Sequence, residues 1–302
     1  MRQAENRVKV EGILNEIDLR DITYKKNGAD TEAVAGSITV KVIQKVSGEE
    51  KELSVPVHMF ASKYTNKGSL NPAYESICKV KDEFVSVAAA GEDKADCIRI
   101  TNGNIRMNEF YSQDGRFISQ PRINASFVNK IKRETMKMEA SFIVEFVVSG
   151  MTEEIGTNGE ETGRTVVKAI LPQYGGRVDV VPFYAESDGV IDAINNYWET
   201  NNTVRANGRL DFSFQTQVIT RDGGFGEPVE EYRTISKNDL IITGGSQEPL
   251  EDEFAFSHDE IQTALTERKT RLEAQKEKDM NKAPKTTTSQ DNGLKTSDFK
   301  EV

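Results

Sequence analysis

The sequence predicts an all-β protein with two tandem OB-fold-like five-stranded barrels, a C-terminal helix and a disordered tail. Two observations lead to this fold class. Through most of residues 8–245, short runs alternate apolar with polar side chains, which is the period of half-buried strands. The pattern also recurs, because residues 55–61 (VPVHMFA) resemble residues 178–185 (VDVVPFYA) with one residue inserted. A repeat of about a hundred residues indicates duplicated domains rather than a solenoid, whose period is shorter.

The first copy contains three strands, a helix and two further strands. The alternation is clearest at residues 37–42 (SITVKV), and residues 71–80 (NPAYESICKV) interrupt it with a helical pattern. The predicted strands lie near residues 8–20, 34–46, 51–60, 97–111 and 116–131.

Pairs that contain glycine predict the tight turns, because glycine adopts the left-handed conformations that hairpin turns require. These pairs are Asn27–Gly28, Ser47–Gly48, Asn102–Gly103, Asp114–Gly115, Asn158–Gly159, Asn207–Gly208 and Asp222–Gly223.

The second copy has the same order of elements, with its helix at residues 187–198. Three strands, a helix and a two-stranded hairpin form an OB-fold, whose β2–β3 face and L12 and L45 loops bind oligonucleotides or oligosaccharides. In the first copy, L12 falls at residues 24–28 and L45 at residues 110–117. Both loops combine aromatic with basic side chains.

The repeat divides the chain into four parts. We expect residues 1–136 to form the first OB-fold domain and residues 137–247 to form the second OB-fold-like domain. Residues 248–280 contain an acidic segment and a helix that opens after Ser257. Residues 281–302 have no periodicity and little apolar content, so we expect them to be disordered.

Composition and the absence of motifs argue against enzyme classes. The 302 residues include no apolar run long enough for a membrane span and no signal-peptide start, so we expect a soluble, cytoplasmic protein. The two histidines and two cysteines lack metal-site spacing, and there is no phosphate-binding loop or nucleophile elbow. We therefore expect no catalysis, no metal, no cofactor, no membrane contact and no small-molecule substrate.

Charge is distributed unevenly along the chain. The net charge is −10, yet residues 1–150 carry 22 basic and 21 acidic residues, whereas residues 151–250 carry 8 and 16. Because screening limits the reach of each charge to roughly 8–10 Å, local clusters decide whether a polyanion binds. Acid-free stretches that contain basic residues are 33–48, 53–74, 97–108 and 116–133.

Aromatic and basic side chains on strands and hairpin loops are what single-stranded nucleic acid requires, because bases stack on rings and phosphates pair with cations. The candidates in the first copy are Tyr24, Lys25, Lys26, Lys41, Lys45, Phe60, Lys63, Tyr64, Arg99, Arg106, Phe110, Tyr111, Arg116 and Phe117. Those in the second copy are Arg164, Lys168, Tyr174, Arg177, Arg205 and Arg209.

Each aromatic also has a structural alternative, because strand aromatics often fill a barrel interior. This alternative applies to Phe60, Phe117 and Phe183, whereas Tyr24 and Tyr111 lie in predicted loops and are the better stacking candidates. Residues that we expect to be core are Trp198 at a barrel end and Leu210, Phe212 and Phe214 on one strand face.

Four runs resemble the single-stranded DNA-binding proteins of phages and prophages of Gram-positive bacteria: 6–12 (NRVKVEG), 24–28 (YKKNG), 34–38 (VAGSI) and 110–117 (FYSQDGRF). The resemblance implies a replication or recombination accessory that coats exposed strands in the host cytoplasm. Bacterial proteins of this type end in an acidic, aromatic tip that recruits partners. Here Lys300 interrupts that pattern, and the more acidic residues 251–256 (EDEFAF) are internal.

We therefore expect sequence-independent binding and protection of single-stranded DNA, mainly by the first domain, with replication or recombination proteins contacting the acidic C-terminal region. Three alternatives stay open. A structural or interaction protein of a phage assembly would show the same strand pattern, and an OB-fold can bind RNA instead of DNA. A nuclease would be revealed by metal-dependent cleavage of single strands.

Overall fold

The computed structural model describes residues 1–46, 48–112, 114–156, 158–221 and 229–280, and it describes side chains in these ranges except within residues 214–236. The predicted turn at Asp222–Gly223 and the predicted disordered tail at residues 281–302 lie outside the described residues.

The first barrel has the predicted order of elements. Its strands and helices are β1 (Asn6–Lys26), β2 (Ala29–Val46), β3 (Glu49–Ser62), α1 (Pro72–Glu83), α2 (Val87–Ala90), β4 (Cys97–Tyr111), β5 (Phe117–Asn124) and β6 (Asn129–Ile131). β1 pairs with β2 and β2 with β3, β3 pairs in parallel with β5, β5 pairs with β4, and β4 returns to β1. This closed circuit is an OB-fold barrel. At the end of β1 the predicted turn is confirmed, since Asn27 and Gly28 have φ of 50° and 83°.

The second barrel repeats this circuit. Its elements are β7 (Glu139–Ile155), β8 (Glu161–Pro172), β9 (Val178–Ala185), α3 (Asp188–Tyr197), β10 (Thr203–Arg221) and β11 (Val229–Gly245). β7 pairs with β8, β8 with β9, β9 in parallel with β11, β11 with β10, and β10 with β7. The predicted fold class, two tandem OB-fold barrels, is therefore confirmed.

The two barrels are joined by a strand pair between β1 and β7. Residues from Asn6 to Glu11 pair antiparallel with residues from Val144 to Glu139, so the described strands form one eleven-stranded sheet. Val8 and Phe142 face each other at the centre of this pair and are both buried. Each lies opposite the same feature of its own barrel, a glycine in β4 or β10. The barrels are thus related by an approximate two-fold axis through the junction.

Two of the predicted turns are wrong. Asn102–Gly103 lies inside β4 and Asn207–Gly208 lies inside β10. A Cβ atom on Gly208 would lie 2.0 Å from the carbonyl oxygen of Ile241 and 2.4 Å from the ring of Phe142. The glycine therefore serves the close approach of neighbouring strands and not a reversal of the chain.

The fifth strand of the first barrel is shorter than predicted. β5 ends at Asn124 instead of continuing to residue 131, and the separate strand β6 pairs with the start of β4. Between them the backbone N–H of Ala125 donates to the carbonyl of His58 at 3.0 Å, and Val128 is buried. These contacts turn the chain away from the β4–β5 ladder and leave Phe127 exposed.

Most predicted core residues are confirmed. Trp198 is buried at a barrel end, where its Nε1 donates to the carbonyl of Ser246 at 2.8 Å, and Leu210 and Phe212 are buried. The side chain of Phe214 lies outside the described set. Phe183 is core, stacked on Phe146 at 5.2 Å, whereas Phe60 and Phe117 are exposed.

The C-terminal helix α4 (His258–Met280) packs across both barrels. It begins directly after Ser257, as predicted, and buries Ile261 and Ala264. Near its start the ammonium group of Met1 pairs with Glu260 at 2.7 Å. Near its end Gln275 donates to the carbonyl of Glu109 on β4 at 2.7 Å. The helix therefore connects the chain's start with the tip of the first barrel.

We expect Gly208→Ala to destabilise the protein by about 1–3 kcal/mol, because its Cβ would overlap the backbone of β11 and the Phe142 ring. Urea unfolding followed by circular dichroism measures this change. Gly150→Ala is the matched control, because a Cβ there meets no atom within 4 Å. Equal unfolding midpoints for the two variants would contradict the packing at the junction.

Candidate nucleic-acid interface

A cleft of 850 Å³ opens on the outer face of the first barrel, where β2, β3, β4 and β5 meet. Two phenylalanines, Phe60 on β3 and Phe127 after β5, lie at its edges, and each side chain is 52% exposed. Arg106 and Arg122 line the cleft between them. The cleft therefore combines two ring faces with two guanidinium groups.

The two arginines are direct cross-strand neighbours, since Arg106 pairs with Arg122 in the β4–β5 ladder. Like charges in this position repel each other. Burial, and then the charge of Arg106, lower the pKa of Arg122, whose Nε is buried without a hydrogen-bond partner. Arg106 is partly compensated by Asp179 of the second barrel, at 3.1 Å. A pair of cations that repel each other in the free protein is a ready site for an anion.

Uncharged polar side chains surround this pair. Asn124 Oδ1 is buried without a hydrogen-bond partner, and the amides of Asn102 and Asn104 also line the cleft. The surrounding wall partly desolvates His58, although its side chain keeps an exposed surface, and Arg122 adds a positive charge. Both effects lower the pKa of His58, so its imidazole is neutral at neutral pH.

The predicted L12 residues cluster beside the Phe60 edge of the cleft. Tyr24 meets Phe60 edge-on at 5.6 Å between ring centroids, and its hydroxyl bonds Ser62 at 2.7 Å. Tyr64 is exposed and lies under the ammonium group of Lys63 at 5.8 Å. The remaining contacts of the predicted lysines here are Lys25 with Asp30 at 2.7 Å, Lys26 with Asn66 at 2.8 Å, and Lys63 with Glu32 at 2.6 Å.

The predicted L45 residues form a separate group that α4 partly covers. The ring centroids of Tyr111 and Phe117 are 5.1 Å apart, and the ammonium group of Lys276 on α4 lies 5.6 Å from the centroid of the Tyr111 ring. The backbone N–H of Tyr111 donates to Asp279 at 3.3 Å. Phe110 of the same group is half-buried. Arg116 forms an ion pair with Asp114 at 2.5 Å.

Three predicted strand residues lie away from the cleft. Lys41 pairs with Glu92 at 3.1 Å and Glu52 at 3.3 Å, which raises the pKa of Lys41. Arg99 binds the buried carboxylate of Glu11, and Lys45 is exposed.

Three of the six predicted residues of the second barrel are engaged in ion pairs. Arg164 pairs with Asp239 at 2.9 Å, and its guanidinium lies 4.2 Å from the Tyr184 ring. Arg205 pairs with Glu5 at 2.7 Å, and Arg209 pairs with Glu186. Lys168 and Arg177 are exposed, and Tyr174 is 82% exposed. The structure does not gather these six residues into one cleft.

The second barrel carries opposite charge at the positions of the two cleft arginines. Counting from the shared Asn-Gly pair in β4 and β10, Arg106 corresponds to Asp211. Asp211 faces Asp239 across the β10–β11 ladder, as Arg106 faces Arg122 across the β4–β5 ladder. Burial raises the pKa of Asp211, but ion pairs with Lys51 at 2.5 Å and Lys237 at 3.2 Å outweigh it and lower the pKa overall.

Sequence reasoning named Phe60 and Arg106 but missed the other cleft residues. The missed residues are His58, Asn102, Asn104, Arg122, Asn124 and Phe127. Arg122 and Phe127 lie in the acid-free stretch 116–133, so a signal was present for these two. The amides carry no charge, and no local pattern in the sequence distinguishes them.

Fold and cleft together define the class of protein, a tandem OB-fold protein with one cationic, aromatic cleft. The chain belongs to the YorF family, whose sequence profile matches residues 4–278.

The solved structures that resemble this chain include the wild-type single-stranded DNA binding protein from Thermus aquaticus, at 12% identity and a TM-score of 0.49. That match covers 85% of this chain and 99% of the other. A deletion mutant of the same protein gives 14% identity, coverages of 86% and 100%, and a TM-score of 0.49. A replication protein A heterotrimer bound to ssDNA gives 9% identity, coverages of 90% and 70%, and a TM-score of 0.21. No curated protein sequence matches the chain significantly.

The described residues contain neither a metal-ligand cluster nor a membrane-spanning helix. No group of three or more His, Cys, Asp or Glu side chains is placed to hold a metal ion in that part of the chain. None of the helices described has both the length and the apolar character to cross a membrane.

We expect Glu11→Gln to lower the free energy of unfolding at pH 7 by about 1.5–3 kcal/mol, because it removes charge-assisted hydrogen bonds from a buried group. The side chain of Arg99 donates to Glu11 at 2.7 and 3.2 Å, and the backbone N–H of Lys137 donates at 2.8 Å. These donors, led by Arg99, hold the pKa of Glu11 below its ordinary 4.5.

A group with a depressed pKa stabilises the folded state fully above its ordinary pKa and loses that effect as the pH falls through the folded value. The difference between Glu11→Gln and wild type should therefore shrink as the pH falls below about 4.5. Urea unfolding at several pH values measures it. The exposed Glu16→Gln is the control, and a difference independent of pH would contradict the role of this carboxylate.

Proposed function

We propose that this protein binds and protects single-stranded DNA without sequence preference and without catalysis, through the cleft of its first barrel. The observation that carries the proposal is the opposed pair Arg106 and Arg122 between two exposed rings, Phe60 and Phe127. A phosphate placed between the guanidinium groups replaces their repulsion with two charge-assisted contacts. The chain's own structure is thus less favourable at this point without an anion than with one.

The rings favour a single strand over a duplex. Stacking on an aromatic side chain contributes about 1–3 kcal/mol per base, and it requires bases that are unpaired and turned outward. Every base has a ring face, so stacking on Phe60 and Phe127 does not select a sequence. The uncharged amides of Asn102, Asn104 and Asn124 can bond bases or sugars of any identity at the same time.

The first barrel is the main binding unit in this proposal, in line with the division at residue 136. Asp211 and Asp239 occupy the places of the cleft arginines in the second barrel, and their neighbours Lys51, Lys237 and Arg164 neutralise them. An anionic strand gains little there. Because β1 pairs with β7 and Asp179 reaches Arg106, the asymmetry is best tested by substitutions in the full chain and not by separated fragments.

The biological setting that we propose is phage or prophage DNA replication or recombination in the cytoplasm of a Gram-positive host. The resemblance of residues 6–131 to such proteins supports it. Replication or recombination proteins would contact the acidic segment at residues 251–256. Within it Phe254 is exposed, whereas Phe256 is buried under the guanidinium group of Arg2, 4.3 Å from the ring centroid.

We expect Arg122→Gln to weaken binding of labelled oligothymidylate at least about tenfold, which is about 1.4 kcal/mol. The slope of log affinity against log salt should fall by about 0.7, the contribution of one phosphate contact on a single strand. Fluorescence anisotropy at several ionic strengths measures both. The unfolding midpoint should stay the same or rise, because the substitution removes a like-charge pair.

Lys79→Gln provides the matched control for Arg122→Gln, because Lys79 is exposed on α1 and the same unit of charge is removed. Binding that is equally affected by the two variants would reject the cleft. Competition with oligouridylate and with duplex DNA belongs in the same series. Stronger competition by RNA would reassign the cleft to RNA, and the absence of any salt-dependent binding would favour a structural or interaction protein.

We also expect Phe127→Ala to weaken binding by about 1–3 kcal/mol, whereas Phe127→Trp should preserve it, because an indole still offers a ring face to a base. The same titration measures both variants. The phenylalanine is exposed, so neither substitution should change the free energy of unfolding by more than about 0.5 kcal/mol. If both variants bind like wild type, Phe127 does not stack on DNA.

A further inference from the structure

Three depressions lie next to one another, from the cleft across the junction between the barrels, and together we call them the trough. The cleft ends at Asn102 on β4, and the adjacent residue Thr101 lines a second depression of 300 Å³ with Arg7 and Lys9 of β1. That depression shares Ser141 and its neighbours on β7 with a groove of 1160 Å³.

The trough is strongly basic in a protein of net charge −10. Its charged lining in the described residues is eight basic side chains and one acidic side chain. The basic ones are Arg106 and Arg122 in the cleft, Arg7 and Lys9 at the junction, and Lys45, Lys137, Arg205 and Arg209 in the groove. The acidic one is Glu139. Carboxylates just outside this lining pair with four of the basic groups: Glu5 with Arg7 and Arg205, Asp179 with Arg106, and Glu186 with Arg209. The basic side chains still outnumber these carboxylates and Glu139 together, so within the roughly 8–10 Å over which a charge acts the trough presents a cationic path to a flexible polyanion.

Two lysines of the groove are free to bind an anion. Lys45 at the end of β2 and Lys137 before β7 are exposed, and within the described residues no hydrogen bond or ion pair engages either ammonium group. By contrast, Arg205 pairs with Glu5, and Lys9 pairs with Glu139 at 2.5 Å. The groove's floor holds no exposed aromatic ring, since Phe142 is buried. The groove is thus suited to phosphates and not to stacked bases.

The junction sheet brings the cleft and the groove within reach of one short strand. Across the junction the strands lie side by side in the order β4, β1, β7, β10, so three inter-strand spacings of about 4.8 Å separate β4 from β10. The hydrogen-bonded pair of β1 and β7, centred on Val8 and Phe142, keeps this spacing fixed. Along β2 the eight residues from Ser37 at the cleft to Lys45 in the groove span about 27 Å, so a strand seated between Phe60 and Phe127 must extend by roughly that distance to reach Lys45.

We propose that the DNA strand leaves the first barrel's cleft, crosses the β1–β7 junction and is held by its phosphates in the groove at Lys45 and Lys137. This inference rests on the proposed function and adds the strand's path to it. The first barrel supplies both the stacking cleft and Lys45, whereas the second barrel contributes one wall of the groove. Binding should consequently have two phases of length dependence: short strands fill the cleft, and longer strands also occupy the groove.

The test is a length series of labelled oligothymidylates, from about 6 to about 24 nucleotides, which brackets the site sizes of OB-folds. It compares full-length wild type, the double variant Lys45→Gln with Lys137→Gln, the matched double variant Lys79→Gln with Lys94→Gln, and Arg122→Gln. Lys79 and Lys94 are exposed and do not line the trough. Anisotropy titrations at several salt concentrations give the affinity and the salt slope for each length.

For long strands the Lys45 and Lys137 variant should bind about three- to tenfold more weakly than wild type, with a salt slope lower by about 1.4, which is two phosphate contacts. For the shortest strands it should bind like wild type, as the matched control should at every length. Equal loss at all lengths, or no loss at any length while Arg122→Gln weakens binding, would overturn the path and leave the proposed function standing. If wild type binds no strand, both fail.

Discussion

The antiparallel pairing of β1 with β7 is the constraint on which the rest of the structure depends. Six residues from each strand join two closed barrels into one sheet, and Val8 and Phe142 are buried at its centre. This pairing brings Asp179 of the second barrel to Arg106 of the first, and Lys51 of the first barrel to Asp211 of the second. Two ion pairs thus cross the junction, each from the fourth strand of one barrel to the third strand of the other, with their charges reversed. A break of the strand pair would remove both pairs and divide the basic trough.

The reversed charges explain how two copies of one fold can differ in function. In each barrel the fourth and fifth strands place two like charges directly opposite each other, which is unfavourable. The second barrel compensates its aspartates with three basic side chains from both barrels. In the first barrel, Arg106 has one carboxylate partner, Asp179 of the second barrel, and the buried Nε of Arg122 has no hydrogen-bond partner. The barrel that keeps an unfavourable cation pair is therefore the one whose site gains from an anion.

The sequence was sufficient to predict the fold class because alternation is a local property. Along most of β3, β8 and β9, buried and exposed residues alternate as apolar and polar residues do in the sequence. The turn prediction was wrong at Asn102–Gly103 and Asn207–Gly208, where the glycine lies opposite a strand that is distant in sequence. The site was predictable only in part for the same reason. Phe60 is recognisable as a ring on a strand, but whether Arg99 faces a ligand or the buried Glu11 is decided by a partner 88 positions away. Asn124 carries no charge and so leaves no trace in a charge pattern.

A net charge of −10 and the binding of a polyanion are compatible because the two act at different distances. Beyond roughly 8–10 Å the charges of the chain are screened, so a strand that lies in the trough interacts mainly with the trough's own lining, which is basic apart from Glu139. The acidic surface elsewhere, such as the exposed carboxylates of Asp252 and Glu253, repels a strand that approaches from another side. In the proposed function, acidity outside the trough would weaken contacts that do not use the rings of Phe60 and Phe127, and it would thereby add to the selectivity of the cleft for a single strand.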